Sequence, residues 1–213
     1  MTARLLSVNV APAVVAPYGN APDGRTAIDK QPVPGRVAVR VLGVAGDEQA
    51  YAGHGGVDKA VYAHAREDAV WWETEVGRAL PAGAFGENLT TESLDVTGAE
   101  IGERWRIGSV VLEVSEPRIP CRVFAGFWDV PQLVRRFTQR GRPGAYLRVL
   151  TPGELAADDL IEVVHRPGHG VTIGEAFRAR TGERALVPRL LAAPELPADW
   201  HHWADKVLAA VRP

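Results

Sequence analysis

The chain has 213 residues, of which 46% are hydrophobic and 23% charged, and its formal net charge at pH 7 is −2. This composition is typical of a folded globular protein, and the near-neutral charge argues against a broad basic face that would bind nucleic acid. A single cysteine excludes an internal disulfide. The apolar run at the N-terminus is too short for a signal peptide and no stretch reaches the length of a bilayer, so we expect a cytoplasmic protein that does not contact membranes.

Strands are predicted at the start of the chain. The pattern favours strands over residues 4–10, 26–33 and 36–44, the last from its alternation of valine with arginine. Lys30 lies in the second of these strands. The Pro34-Gly35 pair that follows is typical of a hairpin turn, which would join the second strand to the third.

A glycine-rich segment follows over residues 43–59. It contains five glycines, has no regular period and carries His54, Asp58 and Lys59. Glycine permits a close approach of the backbone to a ligand, and long loops in compact domains often have a function. The segment is therefore either a plain surface loop or part of a binding site.

A helix and a second polar loop are predicted next. Residues 66–80 have an imperfect apolar stripe, and Pro81 is expected to stop the helix. Residues 82–93 are dense in hydrogen-bonding groups, among them Asn88 and Thr90. Successive backbone amides in such a loop can form an anion-binding concavity.

The only cysteine, Cys121, lies in a rigid and basic stretch. Pro117 and Pro120 limit the backbone before it, and Arg118 and Arg122 flank it. Nearby positive charge lowers the pKa of a thiol, and the thiolate is both the nucleophile and the metal ligand. A lone cysteine is more often a small buried hydrophobic residue, so this stretch alone does not decide its role.

The remaining elements of the first part are mostly strands. Two strands around a turn are predicted over residues 101–117, and single strands over 145–150 and 161–167. Between them, Asp129 is expected to cap a helix that runs to about residue 140. Short strands with few inserted helices, and no dinucleotide-binding unit, predict a mainly antiparallel barrel or closed sheet.

The character of the chain changes from about residue 168. Thr172 with Glu175 fits a capping box, and residues 199–211 are predicted to form a terminal amphipathic helix. We therefore predict a mainly β domain, a β-barrel with a few inserted helices, over residues 1–167, and a small appendage of short helices over 168–213. The overall class would be α+β.

Three kinds of chemistry are compatible with these residues. A zinc site is disfavoured because closely spaced Cys and His ligands are missing. A Cys-His hydrolase would need a base near Cys121, and His54 or His64 could serve. A third option is a metal cofactor held by the Cys121 thiolate, with basic residues receiving an anionic group. The residues alone leave these alternatives open.

Several runs of the sequence, in order, resemble the MOSC domain family, the module homologous to the C-terminal part of molybdenum cofactor sulfurases. The runs are GDEQA, HGGVDKAVYAHARED, GAFGENLTTESL, IGERWRIGSVVLEVSEPRIPC and GRPGAYLRVL. Their order and spacing most resemble the bacterial YiiM-like branch, including its small three-helix appendage. The resemblance covers about residues 4–166 and only weakly the remainder.

The resemblance implies a β-barrel that binds a molybdenum cofactor of the molybdopterin type, with Cys121 as the metal ligand. It also implies reduction of small N-hydroxylated substrates such as hydroxylaminopurines and amidoximes, with Cys121 and Asp58 as catalytic residues. The residues it implies for cofactor binding are Lys30, His54, Lys59, Asn88, Thr90 and Arg118. Of these, Lys30 and Arg118 would meet the phosphate, and Asp58 or Glu87 would supply a proton.

The resemblance also bears on partners. No ferredoxin-like extension follows the predicted barrel, so electrons would come from a separate flavin or iron-sulfur reductase. The C-terminal helices would either form a homodimer contact or cover the site. Two alternatives stay open at this point: a sulfur carrier that uses a persulfide on Cys121, and a protein that binds or stores the cofactor without turnover.

Overall fold

The structure is a computed structural model and describes residues 2–210. The strands are β1 Arg4–Val10, β2 Val14–Val15, β3 Arg25–Thr26, β4 Gln31–Pro32, β5 Val37–Arg40, β6 Gly43–Val44, β7 Val61–Ala65, β8 Leu89–Glu92, β9 Arg104–Ile107, β10 Val110–Pro117, β11 Ala145–Thr151, β12 Gly153–Leu155 and β13 Ile161–His165. The α-helices are α1 Arg66–Val76, α2 Arg122–Trp128, α3 Leu133–Arg140, α4 Ile173–Thr181, α5 Val187–Leu190 and α6 Ala198–Ala209. Every one of these helices is too short or too polar to span a lipid bilayer.

One mixed sheet of eight strands dominates the fold. Its strand order is β13-β9-β10-β11-β7-β8-β1-β4, and all neighbours are antiparallel except β7 and β8. These two parallel strands are joined by α1, as parallel pairing requires a crossover connection. The strands β12, β5 and β6 form a small second sheet, and β2 pairs with β3.

The predicted closed barrel is not supported, because the large sheet is open and ends at β13 and β4. An isolated β-bridge joins Arg4 to Leu160, and the Leu5 amide donates to the Asp159 carbonyl at 2.9 Å. These contacts bring β1 near β13 without pairing the two end strands. Alternation in the sequence predicted where strands lie, but it carries no information on which edges pair. The α+β class is confirmed.

Two hydrophobic clusters hold the elements together. One is aromatic and lies between α1, α2 and α3, with Trp72, Phe124 and Phe137 almost fully buried. The other contains inward-facing side chains of the sheet, such as Trp105, together with C-terminal residues such as Trp200. The helices after residue 168 therefore pack on the sheet through a shared core. The predicted division into residues 1–167 and 168–213 stays a prediction. Residue 1 and residues 211–213 of these two segments lie outside the described residues.

Several predicted elements are confirmed. The first strand has the predicted bounds, Arg4–Val10. Thr172 caps α4, and its Oγ1 accepts a hydrogen bond from the Glu175 amide at 3.2 Å. The terminal helix forms over Ala198–Ala209, with Trp200 and Ala204 buried. In these cases a local signal and the apolar period agree, and agreement between levels is what makes a sequence specify its structure.

Three local predictions are wrong. The Pro34-Gly35 hairpin does not form, because β4 pairs with β1 whereas β5 pairs with β6 and β12. The helix α1 ends at a left-handed Gly77, before the predicted stop at Pro81. Asp129, predicted to begin a helix, instead follows the end of α2 in a left-handed conformation.

Candidate functional site

The thiol of Cys121 lies in a pocket at the end of β10. The strand ends at Pro117, and Cys121 then adopts an extended conformation immediately before α2. Burial of the thiol opposes its ionisation, but hydrogen bonding by His54, the charge of Arg118 and the Phe124 amide outweigh this and lower the pKa of Cys121 to about 7. A large fraction of the thiol is therefore ionised near neutral pH, as a nucleophile or soft metal ligand requires.

Arg118 places a buried positive charge in the same pocket. The residue is only 5% exposed, and its guanidinium carbon lies 3.9 Å from the centroid of the Phe124 ring. Its Nη1 atom is buried without a hydrogen-bond partner among the residues that the structure describes. Buried charges in proteins are normally paired, so this arrangement fits an anionic ligand.

A polar network forms another side of the pocket. The Lys30 ammonium pairs with Asp47, which also accepts from the Asn88 side-chain amide at 2.9 Å and from the Ala11 backbone amide at 3.0 Å. Burial lowers the pKa of Lys30 against the opposing effect of the Asp47 charge. Lys30 and Asn88 line the pocket, but both side chains already have partners within the protein. They shape the pocket more than they offer free binding groups.

The loop before β8 is organised by Glu87. Its carboxylate accepts from the amides of Gly83 at 2.7 Å and Phe85 at 2.9 Å, and from the Thr90 hydroxyl at 2.8 Å. Burial raises the pKa of Glu87 against these hydrogen bonds. The Thr90 hydroxyl also accepts from the Asn9 side chain at 3.0 Å. Glu87 and Thr90 therefore fix the loop, and neither is among the residues that line the pocket.

Lys59 and Asp58 are adjacent in sequence but have different surroundings. Lys59 lines the pocket, where its ammonium donates to the Gly53 carbonyl at 3.2 Å and lies 3.5 Å from Glu116. Asp58 does not line the pocket, and its carboxylate accepts from Arg148 Nε at 2.5 Å. The predicted roles of both stay predictions, but only Lys59 is placed to contact a ligand directly.

Only one of the two candidate histidine bases lies at the thiol. His54 lines the pocket with Cys121. His64 is 1% exposed and stacks on Phe85 with ring centroids 3.9 Å apart. Burial, reinforced by the charge of Arg118, lowers the pKa of His64 to about 3. With so low a pKa His64 is a weak base, and it is packed in the core rather than among the residues that line the pocket, so it does not serve Cys121 as a base.

The structure brings together six of the predicted residues: Lys30, His54, Lys59, Asn88, Arg118 and Cys121. It adds pocket residues that the sequence did not single out, including Asp47, Tyr62 and Tyr146. The two tyrosines are partners in the pairing of β7 with β11, so their side chains lie on the same face. Strand pairing could not be derived from the sequence. Asp47 lies within the GDEQA run, whose two adjacent acidic residues were the available signal.

Across residues 2–210 there is no cluster of three or more His, Cys, Asp or Glu side chains that could hold a metal ion. A metal at Cys121 would therefore have to bring most of its ligands with it, as the metal of an organic cofactor does. The lowered thiol pKa and the Arg118 Nη1 atom that has no partner among the described residues both fit an anionic cofactor of this kind.

Comparison with known proteins identifies the family. The MOSC domain family matches residues 50–162, which is more than half of the chain. The chain belongs to the MOSC domain family. It is 35% identical over 193 residues to protein YiiM of Escherichia coli K12, which covers 87% of this chain and 86% of that protein. Among solved structures, YiiM from Geobacillus stearothermophilus superposes with a TM-score of 0.81 at 30% identity, over 97% of this chain and 99% of that one.

Another relative of this chain is much longer. A protein of Gibberella moniliformis named reductase is 36% identical over 146 residues, which are 67% of this chain but only 26% of that protein. The predicted family membership and YiiM-like fold are thus confirmed.

Proposed function

We propose that this MOSC protein is an oxidoreductase that binds a molybdenum cofactor of the molybdopterin type and reduces small N-hydroxylated compounds. The observation that carries the proposal is the pairing of two groups in one pocket. Cys121 has a thiol whose pKa is lowered to about 7, and Arg118 has a buried guanidinium nitrogen without a partner in the part of the chain that the structure describes. A soft anionic ligand beside an unsatisfied cation suits a metal cofactor that carries a phosphate.

In this proposal Cys121 ligates the metal and Arg118 receives the anionic group. When bound, the cofactor supplies the two-electron redox chemistry. Lys59, half-buried at the pocket, adds positive charge on the same side as His54. Asp58, predicted to supply a proton, is held by Arg148. Proton supply is therefore better assigned to His54, since histidine is the side chain most often used for proton transfer.

The electrons would come from a separate protein. The match covers only 26% of the Gibberella protein named reductase, so that protein has a large part outside the matched region. This supports a system in which the MOSC module works together with other modules. We expect the electron donor to be a flavin or iron-sulfur reductase. The proposal thus makes this protein the substrate-reducing component of a two-protein system.

The test measures metal content and activity on the same preparations. We expect stoichiometric molybdenum in protein produced with an intact cofactor pathway, and its loss in Cys121→Ala. Arg118→Gln should lower the bound cofactor at least about tenfold, because it removes a charge-assisted contact with the anion. Arg122→Gln is the matched control, since Arg122 is exposed and outside the pocket. The loaded protein should reduce a hydroxylaminopurine with a chemical electron donor.

The same measurements address a sulfur carrier, which a thiol with a pKa of about 7 also suits. Molybdenum-free protein whose Cys121 bears a persulfide would overturn the oxidoreductase and favour the carrier. Stoichiometric molybdenum without reduction of any N-hydroxylated compound would favour a binding or storage protein.

A further inference from the structure

The loop that carries His54 has little packing of its own. Tyr51 is 41% and Val57 52% exposed, and the segment after Tyr51 consists of two short 3-10 turns, Ala52–His54 and Val57–Lys59. Segments with few buried contacts open easily unless something ties them down. The position of His54 beside the thiol therefore depends on specific polar contacts of the loop, several of which hold the Gly56 amide and the Val57–Lys59 turn.

Lys59 adds a contact from inside the pocket that reaches the residue next to His54. Its ammonium donates to the Gly53 carbonyl at 3.2 Å, which spans the loop from one turn to the other. The same ammonium lies 3.5 Å from Glu116 Oε1. Gly53 immediately precedes His54, so a contact that fixes the Gly53 carbonyl also fixes the position of the histidine.

Glu116 is in turn held by the C-terminal helix. It lies on β10 and is 4% exposed, and its Oε2 accepts a hydrogen bond from Trp200 Nε1 at 2.5 Å. Burial raises the pKa of Glu116, and the Lys59 charge and the Trp200 hydrogen bond act in the opposite direction. Trp200 is itself 4% exposed on α6. The Glu116 carboxylate thus lies between Lys59 of the His54 loop and Trp200 of helix α6.

We infer that Trp200 is a positioning residue, through which helix α6 holds the His54 loop against the pocket. The relay runs from the indole N–H to the Glu116 carboxylate, and from there to the Lys59 ammonium. It gives the helices after residue 168 a role in shaping the pocket, whatever ligand the pocket takes. The inference does not depend on the proposed reaction, because it concerns the ligand-free protein.

The test is hydrogen exchange of the full chain without cofactor, read by mass spectrometry on peptides that cover residues 50–60. The His54 amide bonds the Tyr51 carbonyl at 2.9 Å, and the Lys59 amide bonds the Gly56 carbonyl at 3.2 Å, so both report on opening of the loop. Trp200→Phe keeps a ring in the core but removes the donor. Glu116→Gln keeps an acceptor for the indole but removes the charge that holds Lys59.

We expect each variant to speed exchange in this segment at least about fivefold, consistent with the loss of a local anchor. The double variant should show no further increase, because both changes break the same relay. Trp203→Phe is the matched control, since Trp203 lies on the same helix with its ring under Arg180, whose Cζ is 4.3 Å from the ring centroid. The inference would be overturned if the exchange rate of residues 50–60 stayed at the wild-type value in both single variants. It would also be overturned if Trp203→Phe raised that rate as much as they do. Peptides from the rest of the chain serve as the reference. If exchange rose equally in all peptides, the variant would have lost global stability, and this result would also contradict the inference.

Discussion

The guanidinium of Arg118 lies over the face of Phe124, with Cζ 3.9 Å from the ring centroid, and its Nη1 has no partner among the described residues. The aromatic ring compensates part of the cost of burying the charge, whereas the unpartnered Nη1 leaves another part of that cost unmet within the described residues. Binding sites often keep such unfavourable groups because a ligand relieves them. The effect of replacing Arg118 on the free energy of unfolding therefore distinguishes a role in ligand binding from a role in stability.

We expect Arg118→Met to change the free energy of unfolding of the ligand-free protein by less than about 1 kcal/mol, since it removes a buried charge whose Nη1 has no hydrogen-bond partner among residues 2–210. Arg142→Met should lower it by about 2–3 kcal/mol, because Asp68 is 5% exposed and would lose its Arg142 Nε partner at 2.5 Å. Urea unfolding of both variants checks this. Equal losses in the two variants would show that Arg118 is held for stability rather than for a ligand.

The second prediction concerns the ionisation of Cys121. Only the thiolate reacts with iodoacetamide, so the alkylation rate should rise with pH around a midpoint of about 7. His54→Gln should move the midpoint upward, towards the ordinary value of 9.0, because it removes an interaction that favours the thiolate. Mass spectrometry follows the reaction without ambiguity, since the chain has one cysteine.

The exposed His165 provides a control, and His165→Gln should leave the midpoint unchanged.

The direction of the pH effect on stability follows from the same shift in the pKa of Cys121. Because the folded pKa lies below the ordinary value, the thiolate stabilises the fold fully above about pH 9, and this stabilisation is lost as the pH falls through about 7. A midpoint near 9 in the wild type would contradict the described surroundings of Cys121.

The sequence could predict the parts of this site that depend on local chemistry. Cys121 and Arg118 stand out because a lone thiol lies among prolines and arginines, and the structure places both in the pocket. Helices with clear caps, such as the one that Thr172 begins, were also predictable. In each case the signal lies within a few residues of the feature.

The parts that were missed depend on pairing across the chain. Residues 82–93 were predicted to be a polar loop, yet Leu89–Glu92 is a mostly buried strand parallel to β7. Helix α2 was missed because Gly126 and the preceding prolines hide its apolar face. Tyr62 and Tyr146 meet only because β7 pairs with β11. No short window of sequence shows which distant strands pair. The same lack of pairing information explains why a closed barrel was predicted where the sheet is open.

The third prediction tests the role of Glu87 in the loop before β8. Glu87→Ala leaves the amides of Gly83 and Phe85 and the Thr90 hydroxyl without their acceptor. Unsatisfied buried donors are costly, so we expect the free energy of unfolding to fall by about 2–4 kcal/mol. Glu75→Ala, which removes an exposed pair with Arg136, should change it by less than about 1 kcal/mol. Equal effects in urea unfolding would show that the three hydrogen bonds do not organise the loop.

The last prediction concerns Gly83, which joins the same loop to Lys30. Its φ is +88°, and a Cβ atom there would collide with the Lys30 carbonyl oxygen. Gly77, which ends α1, has a φ of +68° but open space around the Cβ position. Both alanine variants incur the left-handed backbone cost of about 1 kcal/mol, whereas only Gly83→Ala must also move the backbone beneath the pocket.

We therefore expect Gly77→Ala to lower the free energy of unfolding by about 1 kcal/mol, and Gly83→Ala by at least about twice as much. Displacement of the Lys30 backbone should also disturb the ion pair with Asp47 and, through Asn88, the wall of the pocket. Calorimetry measures the first effect, and the alkylation rate of Cys121 at pH 7 measures the second. Gly83→Ala and Gly77→Ala could instead give the same free energy of unfolding and the same alkylation rate of Cys121. In that case the close approach to Lys30 does not shape the pocket, and the left-handed backbone alone explains why residue 83 is a glycine.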